Sequence, residues 1–131
     1  MNFGVMISHG AFAMLSVGFL LSAEPQVAGV WRGDSICTTE APSCHNEKVI
    51  YYIQDIPDKT GFVLIRADKI VDGKAITMGT GEWKYDRAQN TLEMRSERQA
   101  WVLHVADNKI EGTLTFSDNT VFRRMTLRKE E

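Results

Sequence analysis

Gly29-Val30-Trp31-Arg32-Gly33-Asp34-Ser35 reads as the first strand of the folded chain. Side chains along a strand alternate between its two faces. With Trp31 turned inward, Gly33, Ser35 and Cys37 follow it, and Arg32 and Asp34 face water. The strand is predicted over 28–37.

The segment ahead of this strand has a different character. Residues 1–23 hold no Lys, Arg, Asp or Glu. An apolar run, Ala11-Phe12-Ala13-Met14-Leu15-Ser16-Val17-Gly18-Phe19-Leu20-Leu21, ends in Ser22-Ala23 and is followed by Glu24-Pro25. That is the pattern of a secretory signal peptide cut after Ala23. An uncleaved amino-terminal anchor and an unusual start site are the rival readings. The run is shorter than the ~20 residues a spanning helix needs, so no membrane role is expected beyond the leader. The mature chain, 24–131, is expected to be one domain in the periplasm or outside the cell. A net charge of −2 gives it no general pull toward nucleic acid.

Two cysteines follow, Cys37 and Cys44. An even count in an exported chain predicts a disulfide, closing the loop Thr38-Thr39-Glu40-Ala41-Pro42-Ser43.

Beyond this loop no segment has helical periodicity. Short alternating apolar runs separated by turns predict an all-β domain. Strand 47–56 contains Val49-Ile50-Tyr51-Tyr52-Ile53, apolar on both faces, which leaves its register open. Pro57 to Gly61 is a turn. In strand 62–71, Val63, Ile65, Ala67 and Val71 form the inward set, with Lys69 the exception. Asp72-Gly73 predicts a tight hairpin, because both residues tolerate positive φ. Gly79 and Gly81 predict a bulge or bend in strand 75–85. Strand 91–95 is short. Strands near 101–106, 110–116 and 121–128 alternate cleanly. Trp101, Leu103 and Val105, then Ile110, Gly112, Leu114 and Phe116, then Val121, Arg123, Met125 and Leu127 occupy the inner face.

About eight strands joined by short turns pair antiparallel with their chain neighbours. An open sheet of that size leaves two exposed edges. The expected fold is therefore an up-and-down meander closing into a small barrel, with a two-sheet sandwich as the alternative.

Gly29-Val30-Trp31 resembles the Gly-x-Trp motif on the first strand of lipocalins and related calycin barrels. In that family an Arg on the last strand packs over the Trp. The resemblance implies this role for Arg123, with Arg124 the other candidate. The series Gly29, Trp31, Gly33, Ser35, Cys37, Cys44, His45 is also similar to small exported bacterial proteins without assigned activity. A third resemblance, to bacterial metalloprotease inhibitors, rests on the Gly-x-Trp strand and a disulfide.

Candidate sites come next. Trp31 with Arg123 is read as a structural plug at one barrel end rather than a lid over a ligand. Trp31, Tyr51, Trp83, Trp101 and Arg123 are the candidate ligand-binding residues, since aromatic side chains line pockets for flat apolar molecules. Tyr52 and Tyr85 belong to the same aromatic set. An eight-stranded barrel either packs solid or holds one small ligand. Cys37, Cys44, His45 and His104 do not have the spacing of a metal site, and no metal or cofactor is expected. Asp34, Asp68 and Glu82 are read as solvated sheet residues, and no catalytic residue is assigned. Arg123, Arg124, Arg128 and Lys129 are read as a solvated basic edge. The expected function is non-catalytic. The expected partner is a small apolar ligand or, alternatively, an exported protein such as a hydrolase that the barrel inhibits.

Overall fold

A computed structural model describes residues 26–131. The expected leader, 1–23, lies outside the described residues. Eight strands follow one another: β1 (Gly29–Cys37), β2 (Glu47–Asp55), β3 (Phe62–Val71), β4 (Lys74–Asp86), β5 (Thr91–Arg95), β6 (Gln99–Ala106), β7 (Lys109–Phe116) and β8 (Val121–Lys129). Each pairs antiparallel with its chain neighbours, and β8 returns to β1, closing a barrel. The sandwich alternative does not occur. Closure gives the β1 and β8 edges each other as partners.

One stripe of side chains from each strand fills the interior. Trp31, Val49, Tyr51, Ile53, Val63, Ile65, Trp83, Tyr85, Leu92, Leu103, Val105, Ile110, Met125 and Leu127 form a single buried cluster. The register of β2 is resolved: Val49, Tyr51 and Ile53 are in the cluster, and Tyr52 lies outside under the Arg66 guanidinium, 4.1 Å from its ring centre.

Strand alternation sends the connections to opposite ends. The disulfide loop, the 72–73 turn, 96–98 and 117–120 lie at one end. Residues 26–28, 56–61, 87–90 and 107–108 lie at the other. Cys37 and Cys44 are joined, with their Cα atoms 6.1 Å apart. Such a bond is consistent with an extracellular or periplasmic location. Thr38 N donates to Phe122 O and Cys37 N donates to Asn46 Oδ1, which fixes the loop to β8 and to itself.

The far end is closed by Trp31. Its ring is fully buried, and Nε1 donates to Val27 O at 2.9 Å. Here the expected partner is corrected. Trp31 pairs with Lys129, whereas Arg123 pairs with Cys37, six positions along the strand. At ~3.3 Å per residue that puts the two about 20 Å apart. Lys129 covers the indole instead, its Nζ 5.6 Å from the ring centre and donating to Gln26 O. Gly29 allows this arrangement: its φ is +145°, and an added Cβ would stand 2.8 Å from Lys129 Cε.

The expected features of the middle strands are present, with one change. Asp72 and Gly73 both have positive φ, as a tight hairpin needs. A register shift falls between Ala67 and Asp68, where Met78 is the extra residue beside Gly79. Val71 is not inward but 40% exposed, because the β3–β4 hairpin runs past the barrel wall. Lys69, the apparent exception, keeps the inward parity and reaches Glu47.

Candidate functional site

β4 is thirteen residues long and β5 is five. They pair only through Lys84, Tyr85 and Asp86 against Glu93, Leu92 and Thr91. Over its first part β4 therefore has β3 on one side and, among the described residues, no strand on the other. Residues 71–80 are all exposed. The register shift at Met78 and the absence of side chains at Gly79 and Gly81 bend the strand away from β5.

A cavity of about 350 Å³ lies where the two strands part. Tyr51, Trp83 and Trp101 form its aromatic wall, with Ile65 and Ala67 behind them. Met78 and Met94 flank it from the two parted strands, and Gly79 and Gly81 leave it open between them. The Trp83 ring centre is 6.2 Å from that of Tyr51, edge-on, and 6.3 Å from that of Trp101. These are ordinary aromatic packing distances, so the wall is firm without a ligand. The volume is at the small end of the ~300–1,000 Å³ range of ligand pockets.

Three of the five candidate ligand residues, Tyr51, Trp83 and Trp101, are thus brought together. Trp31 and Arg123 do not line this cavity. Trp31 plugs the far end. Arg123 projects inward at the disulfide end, where Nη1 donates to Ser35 Oγ at 3.2 Å and lies 3.7 Å from Glu47 Oε1. The residues that sequence reasoning missed are Met78 and Met94. Their signal was present: two methionines at strand positions facing a Gly79-Thr80-Gly81 stretch with nothing to pack on.

Tyr51 is 3% exposed. Burial pushes its phenol above the usual tyrosine range, Glu47 adds to this and Arg123 opposes it. The phenol is therefore a neutral O–H donor at neutral pH.

The remaining candidates do not converge. Asp34 is outside, paired with Lys48 at 2.6 Å, and Glu82 is outside, paired with Lys59. Asp68 departs from the expected solvated state. It is 4% exposed and accepts from Thr77 Oγ1 at 2.8 Å and from Arg66. This carboxylate ties β3 to β4 beside the register shift. Among the described residues no group of three or more His, Cys, Asp and Glu could hold a metal ion. The basic residues of β8 are divided by strand parity: Arg124 and Arg128 face out, Arg123 and Lys129 in.

No protein-family model matches the chain, and no curated protein does. Solved structures do. A redesigned β-barrel superposes with a TM-score of 0.59 at 16% identity, over 79% of this chain and 91% of its own. A de novo designed fluorescence-activating β-barrel gives a TM-score of 0.53 at 17% identity, over 79% and 93%. At these identities the likeness is one of fold. It makes the chain a small antiparallel β-barrel.

Proposed function

We propose that this protein is a non-catalytic binding barrel that holds one small apolar ligand against Tyr51, Trp83 and Trp101. The observation that carries the reading is the cavity of about 350 Å³ at the β4–β5 gap, walled by aromatic rings and flanked by methionines. Methionine is flexible and polarizable, which suits a rim that must adapt to its guest. The similarity to a designed fluorescence-activating barrel supports the same reading.

The test fills the cavity from within. An added Cβ at Gly81 meets only Met94 Sδ, at 3.9 Å, so Gly81→Phe has room to fold with its ring in the gap. Purified protein should bind a neutral naphthyl fluorophore at one site, and Gly81→Phe should abolish binding. Equal binding by both proteins refutes the reading.

The reading includes export of the 24–131 domain behind a leader cut after Ala23, and a calycin-type barrel. The uncharged 1–23 segment, the Gly29-Val30-Trp31 strand and the disulfide support it. Intact mass of protein recovered outside the cytoplasm gives the cut site directly.

One observation favours a second reading, docking to an exported protein. Val71, Ile76 and Met78 are 40–46% exposed on the projecting β3–β4 hairpin, beside a strand edge without a partner among the described residues. Unpaired edges accept an added strand. Capture of an exported partner that is lost with Ile76→Asp supports this reading over the first.

A further inference from the structure

Nine aromatic side chains lie among the described residues. Five of them, Trp31, Tyr52, Phe62, Tyr85 and Phe122, have a Lys or Arg of the chain 4.1–5.7 Å from the ring centre. Of the four without such a cation among the described residues, Phe116 lies against Phe122, with 4.7 Å between ring centres. The other three are Tyr51, Trp83 and Trp101, and all three line the β4–β5 cavity. No charged side chain stands among the lining residues.

This setting suits a positive guest. The face of an aromatic ring is negative and its edge positive. The plane of Trp83 is inclined 69° to that of Tyr51 and 41° to that of Trp101, so the three rings bend round the cavity instead of forming one flat wall. Met78 and Met94 bring polarizable sulfur to its rim and no charge. The charge felt at the Tyr51 phenol has the matching sign. Burial is the main cause that holds the phenol above the usual tyrosine range, and Glu47 pushes it further up than Arg123 pulls it back.

We infer that the cavity takes a small organic cation, an alkylated ammonium on an apolar body, which brings to Tyr51, Trp83 and Trp101 the positive charge that the chain itself brings to five other rings. This inference rests on the cavity reading above and adds a charge to the guest. Cation–π attraction is strongest for Trp and grows where water is excluded. A primary ammonium is compact and strongly hydrated, so stripping its water is costly. Alkyl groups spread the charge and pack on the apolar wall, which lowers that cost.

Two competitors of one shape separate the claims: N,N,N-trimethylanilinium, a cation, and tert-butylbenzene, its neutral counterpart. Each is titrated against the neutral naphthyl fluorophore bound to the full chain. The cation should displace it at about tenfold lower concentration, the gain expected of a cation over two or three rings. Trp101 is half-buried, and Trp101→Leu keeps apolar volume while removing one ring face. It should cut the preference to about threefold, and taking the ratio of the two competitors cancels any change in the fluorophore's own affinity. If Trp101→Leu does not fold, Trp101→Phe, with its weaker ring, decides by the same ratio. Equal displacement by the two competitors, or a preference that Trp101 substitution leaves intact, overturns the cation inference and leaves the cavity reading standing. Failure of the fluorophore to bind, or undiminished binding to Gly81→Phe, removes the cavity reading itself.

Discussion

At the scale of single residues, Tyr51 and Lys129 flank Trp31 on its two neighbouring strands. Tyr51 is buried beside Glu47, and its phenol stays protonated in the folded chain beyond the ordinary range. In the unfolded chain it ionises near pH ~10. Above that pH, unfolding releases a proton, so stability falls as pH rises; below it the group has no effect on the pH dependence. Tyr51→Phe should therefore flatten the alkaline limb. By pH ~11 the stability lost through this group amounts to about 1.4 kcal/mol, read as melting temperature against pH for the two proteins. On β8, Lys129→Ala should cost about 1 kcal/mol, from the cation–π contact and the stem packed beside Gly29. Urea midpoints measure it. The buried indole was legible in the sequence, because a Trp on an alternating strand has to face the core. Its cap was not. Arg123 and Lys129 have the same parity, so alternation permits either, and only the register against β1 decides between them.

At the scale of strands, β1 and β4 behave oppositely. An added Cβ at Gly33 would stand 1.8 Å from Thr126 O, a backbone atom of β8 that cannot yield without parting the strands. Gly33→Ala should cost about 3 kcal/mol. An added Cβ at Gly79 meets nothing within 4 Å, and its φ is not positive. Gly79→Ala should be neutral or gain ~0.4–1 kcal/mol from the stiffer unfolded chain. The same urea experiment reads both, and a large loss for Gly79→Ala would mean that the β4–β5 gap is filled. The bend at Gly79 and Gly81 could be read from the sequence. The gap could have been read too, since a strand near 91–95 is too short to pair along all of β4. Val71 shows the limit of alternation alone: its parity is inward, but the wall it would face has ended, and it is exposed.

At the scale of the whole molecule, closure follows from local features. Eight alternating runs, short turns and two edges needing partners point to one barrel, and no long-range information is required. Whether the interior is hollow is a different kind of quantity. It is the difference between the enclosed volume and the volumes of side chains whose registers are set by eight pairings, so a single strand leaving its neighbour opens space that composition cannot reveal. The weak seam should be visible in hydrogen exchange. In an antiparallel strand, alternate amides point to alternate neighbours. β7 has a partner along both edges, β6 and β8, whereas 74–83 of β4 has only β3. Amides in 74–83 should therefore exchange faster than those of Lys109–Phe116, opening locally rather than with the whole fold. A guest in the cavity should slow exchange at 78–83 and 94 while leaving β7 as it was. Equal protection of β4 and β7 in the free protein would mean that the seam is closed in solution and that no small molecule passes between Met78 and Met94.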